Sequence, residues 1–242
     1  NWDNSINSDT SIYSGNINLS VGINANDSII LDKYAINMEP SYIVIADTLW
    51  QLNRSQIIVD TTTYEFRNFK IENGYQSLEL DGKISALESD TMRILANNIN
   101  ISHFNLFTKS MGLDLKGVLN ANMKVAQIYH NPFIGSNISL NKLTINDQLI
   151  GNTNILTEWD PFLEMIHLEW LSTIAETEVL NIIGDYDPAN ARMNFRIFID
   201  RFNLSILEPY MAGVIHDIEG LTTTEIILKG TIENPELQGV VI

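Results

Sequence analysis

The chain has 242 residues, a formal net charge of −16 and no cysteine. This length is enough for one large all-β unit or two ordinary domains, either of which can bury a core. So acidic a chain is repelled by nucleic acid and by anionic membrane surfaces, so the charge argues against a nucleic-acid partner. The lack of cysteine excludes a disulfide scaffold and a cysteine-ligated zinc site.

No stretch of the sequence approaches the roughly 20 consecutive apolar residues that a membrane-spanning helix needs. The chain starts at Asn1 and carries no recognisable signal peptide. We therefore expect it to be a piece of a longer chain whose membrane anchor or targeting signal lies elsewhere.

Apolar and polar residues alternate with a period of two along most of the chain, which predicts β-strands. In the longest run, Leu113, Leu115, Leu119, Met123 and Val125 share one face while Lys116, Asn120 and Lys124 lie on the other. The pattern predicts strands over residues 16–23, 41–52, 75–85, 113–127, 137–147, 151–160, 192–202 and 221–230.

Turn signals separate these runs, and they predict an antiparallel β meander. They lie at Glu39-Pro40, Glu72 to Gly74, Asn131-Pro132, Asp147-Gln148, Asp160-Pro161, Asp185 to Pro188 and Asn234-Pro235. Helix signals are few, so we expect at most short helical turns near 103–112 and 203–213, each ending at or near a glycine that can form a C-cap.

The two halves of the sequence resemble each other. Phe104-Asn105-Leu106 matches Phe202-Asn203-Leu204, and Gly117 and Pro132 have the same 15-residue separation as Gly220 and Pro235. We interpret this as a degenerate repeat, covering approximately 80–150 and 183–242, within one continuous fragment that spans residues 1–242.

An antiparallel sheet with one apolar face must cover that face with a second sheet, by closing into a barrel, with helices or with a ligand. Too few helices are predicted to do this. The in-facing residues are candidates for a lipid-binding groove: Leu113, Leu115, Leu119, Met123, Val125, Ile138, Leu140, Phe195, Ile197, Ile199, Ile226 and Leu228. Alternation alone does not separate an open groove from a closed, dry core, because both have the same pattern.

Signals for catalysis or metal binding are weak, so we predict no enzymatic activity, no cofactor and no metal site. His103, His130, His167 and His216 are isolated, with no pair at metal-ligand spacing. The Asp185 to Pro188 segment lacks EF-hand spacing and is typical of a turn. Glu158 and Asp160 flank Trp159 as in a glycosidase cleft, but alternation predicts both carboxylates on the solvent face.

The order of motifs resembles the AsmA-like and TamB-like proteins, the translocation and assembly module of Gram-negative envelopes. The segments that carry the resemblance are "LSILEPYMAG", "IEGLTTTEIILKGTIENPELQGVVI" and, more weakly, "FNLFTKSMGLDLKGVLNANMKVAQIYHNPFIG". Upstream, "LWQLNRSQIIVD" and "YQSLELDGKIS" look most like the Bacteroidetes branch. The resemblance covers roughly Tyr42 to Ile242.

The resemblance implies a long curved antiparallel sheet with a U-shaped section, the β-taco or β-groove. It also implies a periplasmic bridge, in a longer chain anchored to the inner membrane, that guides phospholipid acyl chains towards the outer membrane and takes part in its biogenesis. The implied partners are phospholipid, an outer-membrane β-barrel and flanking repeats of the same chain. Two alternatives stay open: a structural or interaction module of outer-membrane protein assembly or secretion with a dry β core, and an extracellular glycan-binding sandwich.

Overall fold

The structure, a computed structural model, describes residues 2–3, 13–24, 33–87, 89–126, 133–203 and 221–241. Strands account for 74% of the chain and helix for 6%, and every strand pairing with a described register is antiparallel. The predicted all-β class with at most short helical turns is therefore confirmed. Within the described ranges, no helix combines the length and the apolar character needed to cross a bilayer.

The described residues form eighteen strands. They are β1 Trp2–Asp3, β2 Ser14–Asn16, β3 Leu19–Asn24, β4 Lys33–Met38, β5 Ser41–Ile45, β6 Thr48–Leu52, β7 Ser55–Val59, β8 Tyr64–Asn73, β9 Gln76–Ile84, β10 Thr91–Asn100, β11 Leu115–Ala126, β12 Phe133–Ile145, β13 Gln148–Asp160, β14 Met165–Ile174, β15 Thr177–Asp187, β16 Arg192–Asn203, β17 Leu221–Thr231 and β18 Pro235–Val241. The chain forms two compact units: unit 1 comprises residues 1–99 and 120–133, and unit 2 comprises residues 100–119 and 134–242.

Unit 1 is a meander in which two long strands are each divided into two shorter ones, β4 and β5, and β6 and β7. Strands β6 and β7 lie end to end along the same edge of β8, and β5 and β4 pair with them in turn. At one break the Glu39 N–H donates to the Asn18 carbonyl at 3.0 Å, and the Asn18 N–H donates to the Ser41 hydroxyl at 2.9 Å. Glu39-Pro40, predicted as a turn, is therefore a break inside a continuing strand, where proline needs no donor.

The prediction of a single strand over 41–52 is wrong. The segment is a hairpin, β5–β6, whose two turn residues Ala46 and Asp47 have φ of 48° and 63°. Alanine rarely adopts such a conformation, so the usual residue preferences of two-residue turns did not indicate one here. The predicted turns around Gly74, Pro161 and Asn234 do separate strands as expected, whereas Asn131-Pro132 lies outside the described residues.

The helical turn predicted near 103–112 is present, and it belongs to unit 2. It runs from Ile101 through a short α-helix, α1 (Asn105–Thr108), and ends at Gly112, whose φ of 78° is left-handed. The Asn105 side chain fixes it to β11: its Oδ1 accepts the Leu115 N–H at 2.8 Å, and its Nδ2 donates to the Leu115 carbonyl at 3.0 Å. The turn predicted at 203–213 falls outside the described residues apart from Asn203.

Unit 2 continues as an antiparallel meander from β12 to β18 in which each strand pairs with the next. Its small closed core consists of Ile101, Leu143 and Ile150, with Leu115, Leu119, Leu140 and Ile145 packed against it. The long strands β14 and β15 were not predicted. The turn between them, Ala175-Glu176, has two positive φ angles, as the Ala46-Asp47 turn does.

Bulges interrupt the long strands of both units. Asparagine or aspartate side chains accept hydrogen bonds from the backbone N–H groups that such interruptions leave without a ladder partner. Asn68 and Lys142 lie at register shifts, Asn98 has the same backbone conformation, and the φ angles of the three residues are 51–54°. Their backbone N–H groups donate to side-chain oxygens on the neighbouring strand, namely those of Asp81 at 3.3 Å, Asn120 at 2.9 Å and Asn152 at 3.0 Å. The high asparagine content therefore supports the bulged strands as well as turns.

Candidate ligand-binding face

The strand register of unit 2 aligns large apolar side chains across six consecutive strands. One residue from each strand forms the central row: Ile138, Ile155, Trp170, Ile182, Ile197 and Ile226. Because neighbouring strands lie about 4.8 Å apart, the five steps of this row span about 24 Å. The row therefore runs across the strands as an unbroken apolar track.

Two further rows flank the central row, two residues away along each strand on the same face. The first flanking row is Leu140, Thr153, Ser172, Leu180, Ile199 and Thr224, and the second is Ser136, Thr157, Leu168, Gly184, Phe195 and Leu228. These three rows together are called the unit 2 apolar face. None of its eighteen positions carries a charged side chain.

The apolar side chains of this face are only half-buried. All six members of the central row are neither fully buried nor fully exposed, unlike Leu143 and Ile150 of the small core, which are 4% and 3% exposed. Leu140, at one edge of the face, also packs against that small core. A half-covered apolar surface of this length is able to accept an apolar ligand.

The opposite face of the same strands carries charged side chains together with apolar ones such as Ile183 and Ile227. The in-register row Glu158, His167, Asp185, Asn194 and Lys229 lies there, as does the ion pair between Arg196 and Glu225 at 3.2 Å. Hydrogen bonding to Asp185, at 2.9 Å from Nδ1, raises the pKa of His167 above its ordinary value. The two faces are therefore chemically distinct, which orients the sheet towards water on one side.

The hydroxyl groups on the apolar face are paired with each other. Thr153 Oγ1 and Ser172 Oγ are 2.8 Å apart and almost completely buried, with residue exposures of 2% and 0%. Ser136 Oγ and Thr157 Oγ1 form a second cross-strand pair at 2.8 Å. These pairs satisfy the hydrogen-bonding groups within the sheet, so the hydroxyls do not interrupt the apolar character of the face.

The structure brings seven of the predicted groove residues together on the unit 2 apolar face: Ile138, Leu140, Phe195, Ile197, Ile199, Ile226 and Leu228. Leu115 and Leu119 also belong to unit 2 and, like Leu140, pack against its small core. Leu113 precedes the strand rather than lying in it. Met123 and Val125 belong to unit 1, where they are half-buried and alternate with the exposed residues Asn122 and Lys124.

Sequence reasoning missed three members of the central row: Ile155, Trp170 and Ile182. The segment "NILTEWD" was predicted as a strand, but its in-facing residues were not assigned to the groove. The other two residues lie in "IHLEWLSTI" and "TEVLNIIGDYD", which were not predicted as strands. Alternation in "IHLEWLS" was a usable signal, since Ile166, Leu168 and Trp170 fall on one face.

Of the acidic residues weighed as catalytic or metal-binding groups, Asp160 and Asp187 stabilise turns, whereas Glu158 and Asp185 lie within strands β13 and β15. The turn predicted at Asp185 to Pro188 therefore begins only after Asp187. Asp160 Oδ1 accepts the N–H groups of Phe162 and Leu163 at 2.8 and 3.0 Å, and Asp187 Oδ1 accepts that of Ala189 at 3.0 Å. The Asn190 side chain also donates to Asp187, and these bonds lower the pKa of that carboxyl. Across the described ranges, no three His, Asp or Glu side chains are grouped as metal ligands.

One polar depression outside the apolar face is lined by side chains that form ion pairs. In unit 1 a depression of about 470 Å³ is lined by Arg54, Lys70 and Arg93. Lys70 is bound to Glu72 and Glu79 at 2.9 and 3.3 Å, and its pKa is raised by these hydrogen bonds. Such compensated charge does not form a strong anion site.

Comparisons of the chain with protein-family models, with curated proteins and with solved structures find no match. Its likeness to the AsmA-like and TamB-like proteins therefore depends on the motifs alone, and any functional assignment depends on the geometry of the unit 2 apolar face.

Proposed function

We propose that the chain is a lipid-binding β-groove segment that holds phospholipid acyl chains against the unit 2 apolar face. The observation that supports this most is the central row, an apolar track of about 24 Å that is only partly buried. One leaflet of a bilayer has a hydrocarbon thickness of about 15 Å, half of the roughly 30 Å core, so the track is long enough for an extended acyl chain.

The energetics also suit transport rather than storage. Each methylene group removed from water contributes about 0.8 kcal/mol, and a half-open face removes only part of that. Binding is then spread over many similar contacts, so a chain can shift along the row without leaving a deep single site. A charged head group can remain in water outside the apolar face.

The cellular role follows from the motif resemblance rather than from the face. We propose a periplasmic location in a longer, inner-membrane-anchored chain, with flanking repeats extending the track and an outer-membrane β-barrel as partner. In this role the segment guides phospholipid between the two membranes and contributes to outer-membrane biogenesis, without enzymatic activity.

Two neighbouring isoleucines on β15 provide a matched test. Ile182 lies in the central row, and Ile183 points to the opposite face and is 42% exposed. The purified chain and the Ile182→Glu and Ile183→Glu variants are extracted with organic solvent, and bound phospholipid is quantified by mass spectrometry. We expect lipid in the wild type and in Ile183→Glu but little in Ile182→Glu, with all three folded by circular dichroism.

Two results would oppose the proposal. If the wild type carries no lipid even after exposure to phospholipid vesicles, the face does not bind acyl chains. If instead Ile182→Glu unfolds while Ile183→Glu does not, the face is part of a dry core, and the structural or interaction module becomes the better explanation.

A further inference from the structure

Trp170 differs from the rest of the central row because a hydrogen bond holds its side chain in place. Its Nε1–H donates to the Ser172 hydroxyl at 3.0 Å, and Ser172 in turn pairs with Thr153 at 2.8 Å. Residues 170 and 172 lie on the same face of β14, about 6.6 Å apart along the strand. To reach Ser172, the indole must lean along the strand instead of standing away from the sheet.

The burial pattern agrees with this orientation. Ser172 is 0% exposed although it is small, whereas Trp170 remains half-exposed. The indole therefore covers Ser172 and keeps part of its own surface open on the unit 2 apolar face. Because its only polar group is already bonded, the open surface of the ring system is apolar.

We propose that Trp170 is the principal contact for an unbranched acyl chain on the unit 2 apolar face, and that Ser172 is a positioning residue that keeps the indole flat. A flat aromatic surface at the middle of the track gives a straight chain more contact area than a row of isoleucines does. This inference rests on the proposed lipid-binding function and adds to it a named contact and a preference for straight chains.

Trp159 is a natural control for this proposal. It lies on the same face as Trp170 but pairs with Ile166, four residues from Trp170 along β14, which is about 13 Å away. A phosphatidylcholine with bromine atoms at mid-chain quenches only those indoles that it touches. The 242-residue chain is loaded with this lipid or its unbrominated form, and tryptophan emission is compared for wild type, Trp170→Phe and Trp159→Phe.

We expect strong quenching in the wild type and in Trp159→Phe, and loss of most of it in Trp170→Phe. Native mass spectrometry counts the bound lipid in each sample. Bound lipid with quenching that persists in Trp170→Phe would overturn this inference and leave the lipid-binding function standing. An absence of bound lipid in all samples would overturn both.

The role of Ser172 is tested by Ser172→Ala and Ser172→Thr. Freed from its hydrogen-bond partner, the indole in Ser172→Ala should show a shifted emission maximum and weaker quenching, while Ser172→Thr should restore both. A Trp170→Leu variant should bind straight-chain lipid about tenfold more weakly, the scale of one aromatic contact. Unchanged emission and quenching in a folded Ser172→Ala would refute the positioning role.

Discussion

The unit 2 apolar face predicts how the affinity for a lipid changes with the length of its acyl chain. Its central row spans about 24 Å and exceeds the reach of one leaflet's hydrocarbon, about 15 Å, so each added methylene should find new contacts. Because an open face covers a ligand from one side only, a methylene should gain about half of the full value of 0.8 kcal/mol, or about 0.4 kcal/mol.

Lengthening a single-chain phospholipid from twelve to sixteen carbons adds four methylenes. The expected gain is therefore about 1.6 kcal/mol, which is an increase in affinity of roughly tenfold to twentyfold. Isothermal titration with detergent-free protein, below the aggregation concentration of each lipid, measures the series. The Ile182→Glu variant serves as the negative control, and Ile183→Glu serves as the matched positive control.

An affinity that stays constant as the acyl chain lengthens would refute the proposed contact with the central row. If the affinity does not change with chain length, or if both glutamate variants give the same slope as the wild type, acyl chains do not lie along the central row. A steep rise that ends abruptly at a short chain would also contradict the proposed groove, since it would indicate a closed pocket instead of a long track.

Three further predictions concern the fold that carries the face. Gly151→Ala should destabilise the chain by about 3 kcal/mol in urea unfolding, because φ is 102° and the new Cβ would lie 2.2 Å from a carbonyl oxygen of β14. Gly22→Ala, with nothing nearer than 3.9 Å, should be nearly neutral, and equal losses in the two variants would count against the backbone conformation at Gly151. Replacing the β14–β15 turn pair Ala175-Glu176 by Asn-Gly should raise the melting temperature by about 2–4 °C, since both residues have positive φ; a lower value would contradict the turn. The raised pKa of His167, caused first by its hydrogen bond to Asp185, means that this contact stabilises the fold fully below the unfolded-state pKa and loses its effect as pH rises through the folded-state pKa. Unfolding of wild type and His167→Gln at pH 5.5 and 8.5 should therefore differ only at the lower pH, by less than about 1 kcal/mol since the pair is partly exposed, and an equal difference at both pH values would exclude the contact.

The alternating pattern was sufficient to predict the fold class because period two is a direct consequence of the pleated backbone. The same pattern identified Ile197, Ile199, Ile226 and Leu228 as neighbours on one face, and the register of β16 with β17 confirms that placement. The lining role itself stays a prediction, because a shared face is compatible with a ligand or with a covering layer.

The hairpin turns were harder to predict because their residues are poor turn formers. Ala46-Asp47 and Ala175-Glu176 both adopt positive φ, which alanine disfavours, so tertiary pairing overrides local preference there. Each pair nevertheless follows an isoleucine and precedes a threonine, and Asn146-Asp147 also follows an isoleucine. This recurring tetrapeptide was the signal that could have revealed strands β6, β14 and β15.

The bulges at Asn68 and Lys142 left a trace in the alternating pattern that was not used: the apolar positions step by three from Phe66 to Phe69 and from Leu140 to Leu143. A bulge shifts register by one residue, and its stabilising partner lies on another strand, as Asn152 does for Lys142. Which of the many asparagines caps a bulge depends on strand pairing, which the sequence alone does not specify. The hydrogen bond between Trp170 and Ser172 was not predicted because strand β14, which carries both residues, was not predicted.

The central claim is that acyl chains lie on the unit 2 apolar face, and site-specific photo-crosslinking tests it most directly. A benzophenone side chain is placed at position 182 or 183 of the chain in cells whose phospholipids are labelled with radioactive phosphate. We expect labelled crosslinks from position 182 and almost none from position 183. Equal labelling at the two positions, or labelling confined to position 183, would contradict the claim.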